Sequence, residues 1–105
     1  MSVRILRRPK AASDAEAIAD HIAKDSLETA LRFLENTELT LLALAESPGS
    51  GTRFESAHNE LANLRFRRVS GFPKHIIFFI EHEDAIEVVR ILHGARDLDS
   101  ELSDS

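Results

Sequence analysis

Apolar Val3, Ile5 and Leu6 are interspersed with arginines along residues 3–8, Val-Arg-Ile-Leu-Arg-Arg, which reads as a short strand stopped by Pro9. The period then changes. Ser13-Asp14-Ala15-Glu16 has the form of a capping box, and Ala15, Ile18, Ala19 and Ile22 follow helical spacing. A helix over about residues 14–24 is expected. A second box, Asp25-Ser26-Leu27-Glu28, opens another helix at once. Its stripe of Leu27, Ala30, Leu31, Leu34, Leu41, Leu42 and Ala45 runs to Ser47-Pro48-Gly49, where Pro and Gly stop it. Two amphipathic helices joined this tightly form an antiparallel hairpin whose apolar faces need another layer.

Residues 48–60 read as an irregular loop, the most mobile part of the chain. Strand periodicity then returns. Leu64-Arg65-Phe66-Arg67 alternates strictly, and Arg68-Val69 breaks the parity as a bulge would. Gly71-Phe72-Pro73-Lys74 is a turn, His75–Glu81 a continuous apolar strand at the sheet centre, and Ala85–Leu92 a third strand rich in Ile and Val. Gly94 ends it, and a polar tail is expected to fray beyond Leu98. The order strand, helix, helix and three strands predicts a two-layer α+β domain. Its helical hairpin packs on an antiparallel sheet of about four strands. Residues 1–98 form the single domain and 99–105 its polar tail.

Composition narrows the chemistry. The 105 residues contain no Cys, Tyr or Trp, which excludes disulfides, thiol catalysis and a phenolic acid or base. No apolar run approaches the ~20 residues of a membrane span, and the basic N-terminus lacks the apolar core of a signal peptide. No membrane partner is expected, and the default location is the cytoplasm. The net charge of -5 argues against a general nucleic-acid coat, so no direct DNA binding is expected. The charge is unevenly placed, however: residues 1–12 carry +4, 13–47 carry -6, 48–80 carry +3 and 81–105 carry -6. The basic middle holds Arg65, Arg67 and Arg68. Alternation puts Arg65 and Arg67 on the face opposite Phe66. If Phe66 packs under the helices, the pair faces outward, either to grip phosphate or carboxylate groups or simply as a solvated sheet face.

Five histidines are present: His21, His58, His75, His82 and His93. None shows metal-ligand spacing, so no metal or cofactor is expected. His93 lies near Arg90 and Arg96 and could act as a general base or simply hydrogen-bond at a strand end. Gly49-Ser50-Gly51 does not lead from a strand into a helix and is not a phosphate loop.

The string Arg90-Ile91-Leu92-His93-Gly94-Ala95-Arg96-Asp97-Leu98 resembles the C-terminal signature of the ParE/RelE superfamily of bacterial type II toxins. Pro48-Gly49 after the hairpin, the Arg-bearing strand, Phe72-Pro73 and the apolar strand match in order, so the resemblance covers about residues 3–98. It implies a toxin neutralised by a cognate antitoxin, commonly of ribbon-helix-helix type, in a homodimer or higher toxin–antitoxin assembly. Antitoxin-binding candidates are Ile18, Ile22, Leu31, Leu34, Leu41, Arg65 and Arg67. The ParE-like branch, which poisons DNA gyrase by protein contact, fits the missing Tyr and the acidic charge. The RelE-like alternative is a ribosome-dependent mRNA nuclease. There Arg65, Arg67 and Arg90 would hold the phosphate and His93 would shuttle the proton. A third possibility is an inactive toxin fold that only binds antitoxin. Arg96 and Asp97 are read as structural, pinning the tail to the sheet.

Overall fold

A computed structural model describes residues 2–55 and 63–103. Strand β1 (Arg4–Arg7) leads into helix α1 (Pro9–Ala23) and helix α2 (Leu27–Glu46). A short 3-10 turn, Pro48–Ser50, precedes β2 (Thr52–Arg53). Then come β3 (Leu64–Val69), β4 (Phe72–Glu81), β5 (Ala85–His93) and helix α3 (Leu98–Ser103). The strands form one sheet in the order β1-β5-β4-β3-β2. The α+β class expected from sequence holds, with two differences. The sheet has five strands, because β2 adds a two-residue edge within the expected loop. It is also mixed, because β1 runs parallel to β5. His58 and the rest of residues 56–62 lie outside the described residues.

Helix starts differ from the expected caps. Pro9 both ends β1 and occupies the first turn of α1, where its missing N–H costs nothing, so Ser13 sits inside the helix rather than at its cap. In α2 the cap is Ser26, not Asp25. The Ser26 Oγ accepts the Thr29 N–H at 3.2 Å.

The central strand β4 is buried on both faces, which explains its unbroken apolar run. Ile77 and Phe79 face the hairpin and pack with Phe33, Leu41, Val88 and Ile91. Ile76 and Phe78 face the other way and pack with Leu64, Val89, Leu92 and Leu102. Two register shifts interrupt the ladders. The register of β3 on β4 shifts between Arg68 and Val69, where a bulge was expected, while Val69 stays on the hairpin side with Arg65 and Arg67. A second shift leaves Phe78 opposite Arg90 and Phe79 opposite Val88, so β5 carries an extra residue at Val89. Val89 and Arg90 therefore both lie on the α3 side of the sheet.

Two glycines are required by geometry. Gly71 adopts φ 78° in the β3–β4 turn, beside the Asn36 amide that donates to the Ser70 carbonyl at 2.9 Å. A Cβ at Gly51 would stand 2.4 Å from the Phe79 ring, so only glycine lets the start of β2 cross that ring.

The tail does not fray at Leu98. Leu98 and Leu102, four residues apart, put their side chains on one side of α3 and cover the second apolar cluster, with Leu102 only 1% exposed. Among the described residues no helix is long and apolar enough to cross a membrane. Leu102→Ala is expected to lower the unfolding free energy by about 3 kcal/mol, because a fully buried leucine leaves a cavity. Urea denaturation followed by circular dichroism measures it, and a loss within experimental error would mean that α3 is not docked in solution.

Candidate functional site

The Arg90 side chain sits at the meeting point of α1, β5 and α3. Strand β1 pairs with β5 only as far as Arg7 opposite Val88, and the α1 residue Asp14 takes over the edge beyond. Its Oδ2 accepts the Ile91 backbone N–H at 3.0 Å and Arg90 Nε at 2.7 Å, while Oδ1 accepts Arg90 Nη2 at 2.9 Å. Arg90 Nη1 donates to the Glu101 carbonyl of α3 at 2.9 Å. The guanidinium is thus committed to protein acceptors, and Arg90 as a whole is 7% exposed. The phosphate-gripping role that the nuclease alternative gives Arg90 does not fit this arrangement. A bidentate carboxylate already occupies its planar fork.

Arg65 and Arg67 also lie elsewhere than one expectation placed them. Phe66 packs not under the hairpin but on the α3 side, edge-on to Phe54 with centroids 6.1 Å apart and near Phe78. Arg65 and Arg67 stand opposite Phe79 and Ile77, on the hairpin side of the sheet near its β2 margin. There Arg65 Nη1 donates to the Gly51 carbonyl at 3.0 Å and its Nε lies 3.7 Å from Glu81. Arg67 Nη1 donates to Ser50 Oγ at 3.2 Å. Both brace the 3-10 turn and β2 against β3. Arg68, on the opposite face, was not singled out for a role by its sequence position. It stands at the rim of a cavity on that face.

His93 ends β5. Its Nδ1 accepts the Ala95 N–H at 3.0 Å, which puts the proton of the neutral ring on Nε2. The His93 ring meets His75 edge-on, centroids 5.2 Å apart, and His75 in turn meets Phe33. His75 Nδ1 is buried with no hydrogen-bond partner among the described residues. Burial first, and the neighbouring His93 second, push the His75 pKa below its ordinary value. His21, His75 and His93 line one cavity of about 400 Å³ between α1 and the end of the sheet, together with Ile18 and Arg96. Among the described residues no cluster of three or more His, Asp or Glu is placed to hold a metal. His82 is apart from these, 2.9 Å from Glu87, whose carboxyl is held below its usual range first by Arg8 and then by His82. Arg96 Nη1 donates to Glu101 Oε1 at 3.0 Å, and Asp97 Oδ1 accepts the Ser100 N–H at 3.3 Å at the start of α3.

The apolar candidates divide sharply. Leu41 is 1% exposed and belongs to the core, and Ile18 and Ile22 are half-buried against it. Leu31 at 58% and Leu34 at 37% are exposed. Leu27 at 66% precedes them at i, i+4, i+7 spacing, and Leu42 at 55% continues the same flank of α2. Leu27 and Leu42 were legible only as part of a core stripe. The helix has more apolar positions than one sheet-facing side can bury, and only the packing shows which remain outside. Arg7 and Glu38 form a bidentate pair beside this flank, which lowers the Glu38 pKa.

Two predictions follow from these contacts. Asp14→Ala should cost about 3 kcal/mol, because it strands the Arg90 charge, and Asp14→Ala with Arg90→Met should regain much of the loss; urea titration of the three proteins measures it. His75 binds a proton less readily folded than unfolded. Its contribution should therefore erode stability as pH falls through about 6.5 toward the lowered folded value. A comparison of chemical stability at pH 7.5 and 5.5 should show this decline in the wild type and a smaller one in His75→Phe; equal declines would remove His75 as the cause.

Comparison with known proteins places this arrangement in a family. No curated protein matches the chain. Among solved structures, a chain of the chromosomal ParDE TA system from P. aeruginosa has a similar fold, with a TM-score of 0.70 and 20% identity over 88% of this chain and 96% of that one. The family model described as the ParE toxin of the type II toxin–antitoxin system, parDE, matches residues 5–98, from β1 to the start of α3. The span takes in the hairpin, the sheet and the Arg90–Asp14 junction, and the chain belongs to the ParE toxin family of type II toxin–antitoxin systems.

Proposed function

We propose that this chain is a toxin that inhibits DNA gyrase by protein contact and is neutralised by a cognate antitoxin. The ParE family match over residues 5–98 carries the reading. The side-chain geometry supports it over mRNA cleavage. Arg65 and Arg67 brace β2 on the hairpin side, Arg90 is bound by Asp14 and Glu101, and His93 lies at the far end of β5. A nuclease needs its cations and proton shuttle aimed at one phosphate, and these four side chains do not converge on one.

The antitoxin surface is proposed to centre on the exposed flank of α2. Burying Leu27, Leu31, Leu34 and Leu42 under an amphipathic helix or extended segment is worth roughly 1.5–3 kcal/mol per side chain before ordering costs. A ribbon-helix-helix antitoxin would leave DNA contact to that partner, which suits a toxin of net charge -5.

Induction of the chain without antitoxin in bacteria, with labelled thymidine and methionine, tests the target. Thymidine incorporation is expected to fall first, and purified toxin to inhibit gyrase supercoiling. Arg67→Ala with His93→Ala should retain both effects if the variant folds. An early fall in methionine incorporation, abolished by that double variant, would move the assignment to the nuclease. Folded, harmless wild-type protein would indicate a toxin fold that only binds antitoxin.

A further inference from the structure

The face of the sheet away from the hairpin carries a cavity of about 600 Å³ with no assigned occupant. Its floor is Ile76, Phe66 and Phe78, its walls Phe54 and Leu98. Arg68 and Lys74 stand at its rim, and both are exposed. Among the described residues no acidic side chain lines it. Arg68 donates to the Pro73 carbonyl at 2.8 Å, and neither cation has a carboxylate partner among the described residues. Arg68 and Lys74 make the rim locally positive in a chain of net charge -5. The volume suits one or two bulky side chains, and the rim suits a carboxylate beside them.

The cavity also adjoins a pocket on the hairpin side. His93 and Ala95 line both this pocket and the one formed by Ile18, His21 and His75. The ridge between them is low, because Gly94 has no side chain and Ala95 only a methyl, both exposed. An extended polypeptide that crosses the hairpin to the Ile18 and His21 side of α1 can therefore pass over the end of β5 and reach the pocket.

We propose that this pocket receives an acidic–apolar segment of the antitoxin. A bulky apolar side chain would rest on Phe66 and Phe78, with a neighbouring carboxylate between Lys74 and Arg68. The inference rests on the antitoxin reading above and adds a second anchor on the opposite face. The α2 flank gives the partner apolar area, and the pocket fixes its register by charge.

The test uses the full toxin and the antitoxin encoded beside it, with affinity measured by calorimetry or competition. Three toxin variants are compared with wild type: Lys74→Glu with Arg68→Glu, Ala95→Trp to fill the pocket mouth without changing charge, and Leu31→Glu with Leu42→Glu on the α2 flank. Circular dichroism and thermal unfolding show that each is folded. The expected result is a loss of roughly tenfold or more for the charge-reversal and Ala95→Trp variants, with partial recovery when one antitoxin acidic residue is changed to Lys. Wild-type affinity in both pocket variants, with loss confined to the leucine variant, would overturn the pocket assignment and leave the antitoxin reading standing. Failure of wild-type toxin to bind the antitoxin at all would overturn both.

Discussion

The structure depends most on one ion pair, between Arg90 and Asp14. The β1 strand is too short to cover the whole edge of β5, and α1 supplies a carboxylate where the pairing stops. That carboxylate satisfies a backbone N–H and a buried guanidinium at once, and the same guanidinium holds the carbonyl of Glu101. Removing a charge from water is costly unless every donor finds an acceptor. Here the donor lies on β5 and its acceptors on α1 and α3, so the three elements must be assembled together for the group to be buried. The bulge at Val89 belongs to the same arrangement, since it sets Arg90 on the face where α3 lies.

This junction divides the molecule's surface. On one side the hairpin covers the sheet and turns a flank of leucines outward from α2. On the other, α3 covers only part of the second apolar cluster and leaves a cavity with a basic rim beside it. A sheet whose central strand is apolar on both faces needs cover on both. The hairpin is large enough for its side and a six-residue helix is not. The surfaces proposed for partner binding are the apolar areas that the described residues leave uncovered.

The likeness to a ParDE chain at 20% identity is a likeness of fold. What the likeness carries is the topology. The two features proposed for recognition, the α2 flank and the rim of Arg68 and Lys74, come from this chain's own residues.

Local pattern determined much of the protein by itself. Helical spacing in α2, the continuous apolar run of β4 and the broken parity at Arg68-Val69 each express backbone geometry within a few residues. The terminal Arg90–Leu98 string pointed to the right family for the same reason: it lies within one contiguous stretch. Tertiary structure alone decided what depends on distant neighbours. It placed Phe66 away from the hairpin and so moved Arg65 and Arg67 to the other face. It buried Leu41 while leaving Leu31 and Leu42 outside, and it paired Arg90 with Asp14 across 76 residues. Alternation says which residues share a face but not which face meets the helices, and a charged residue's partner is set by where the chain returns, which no local period encodes.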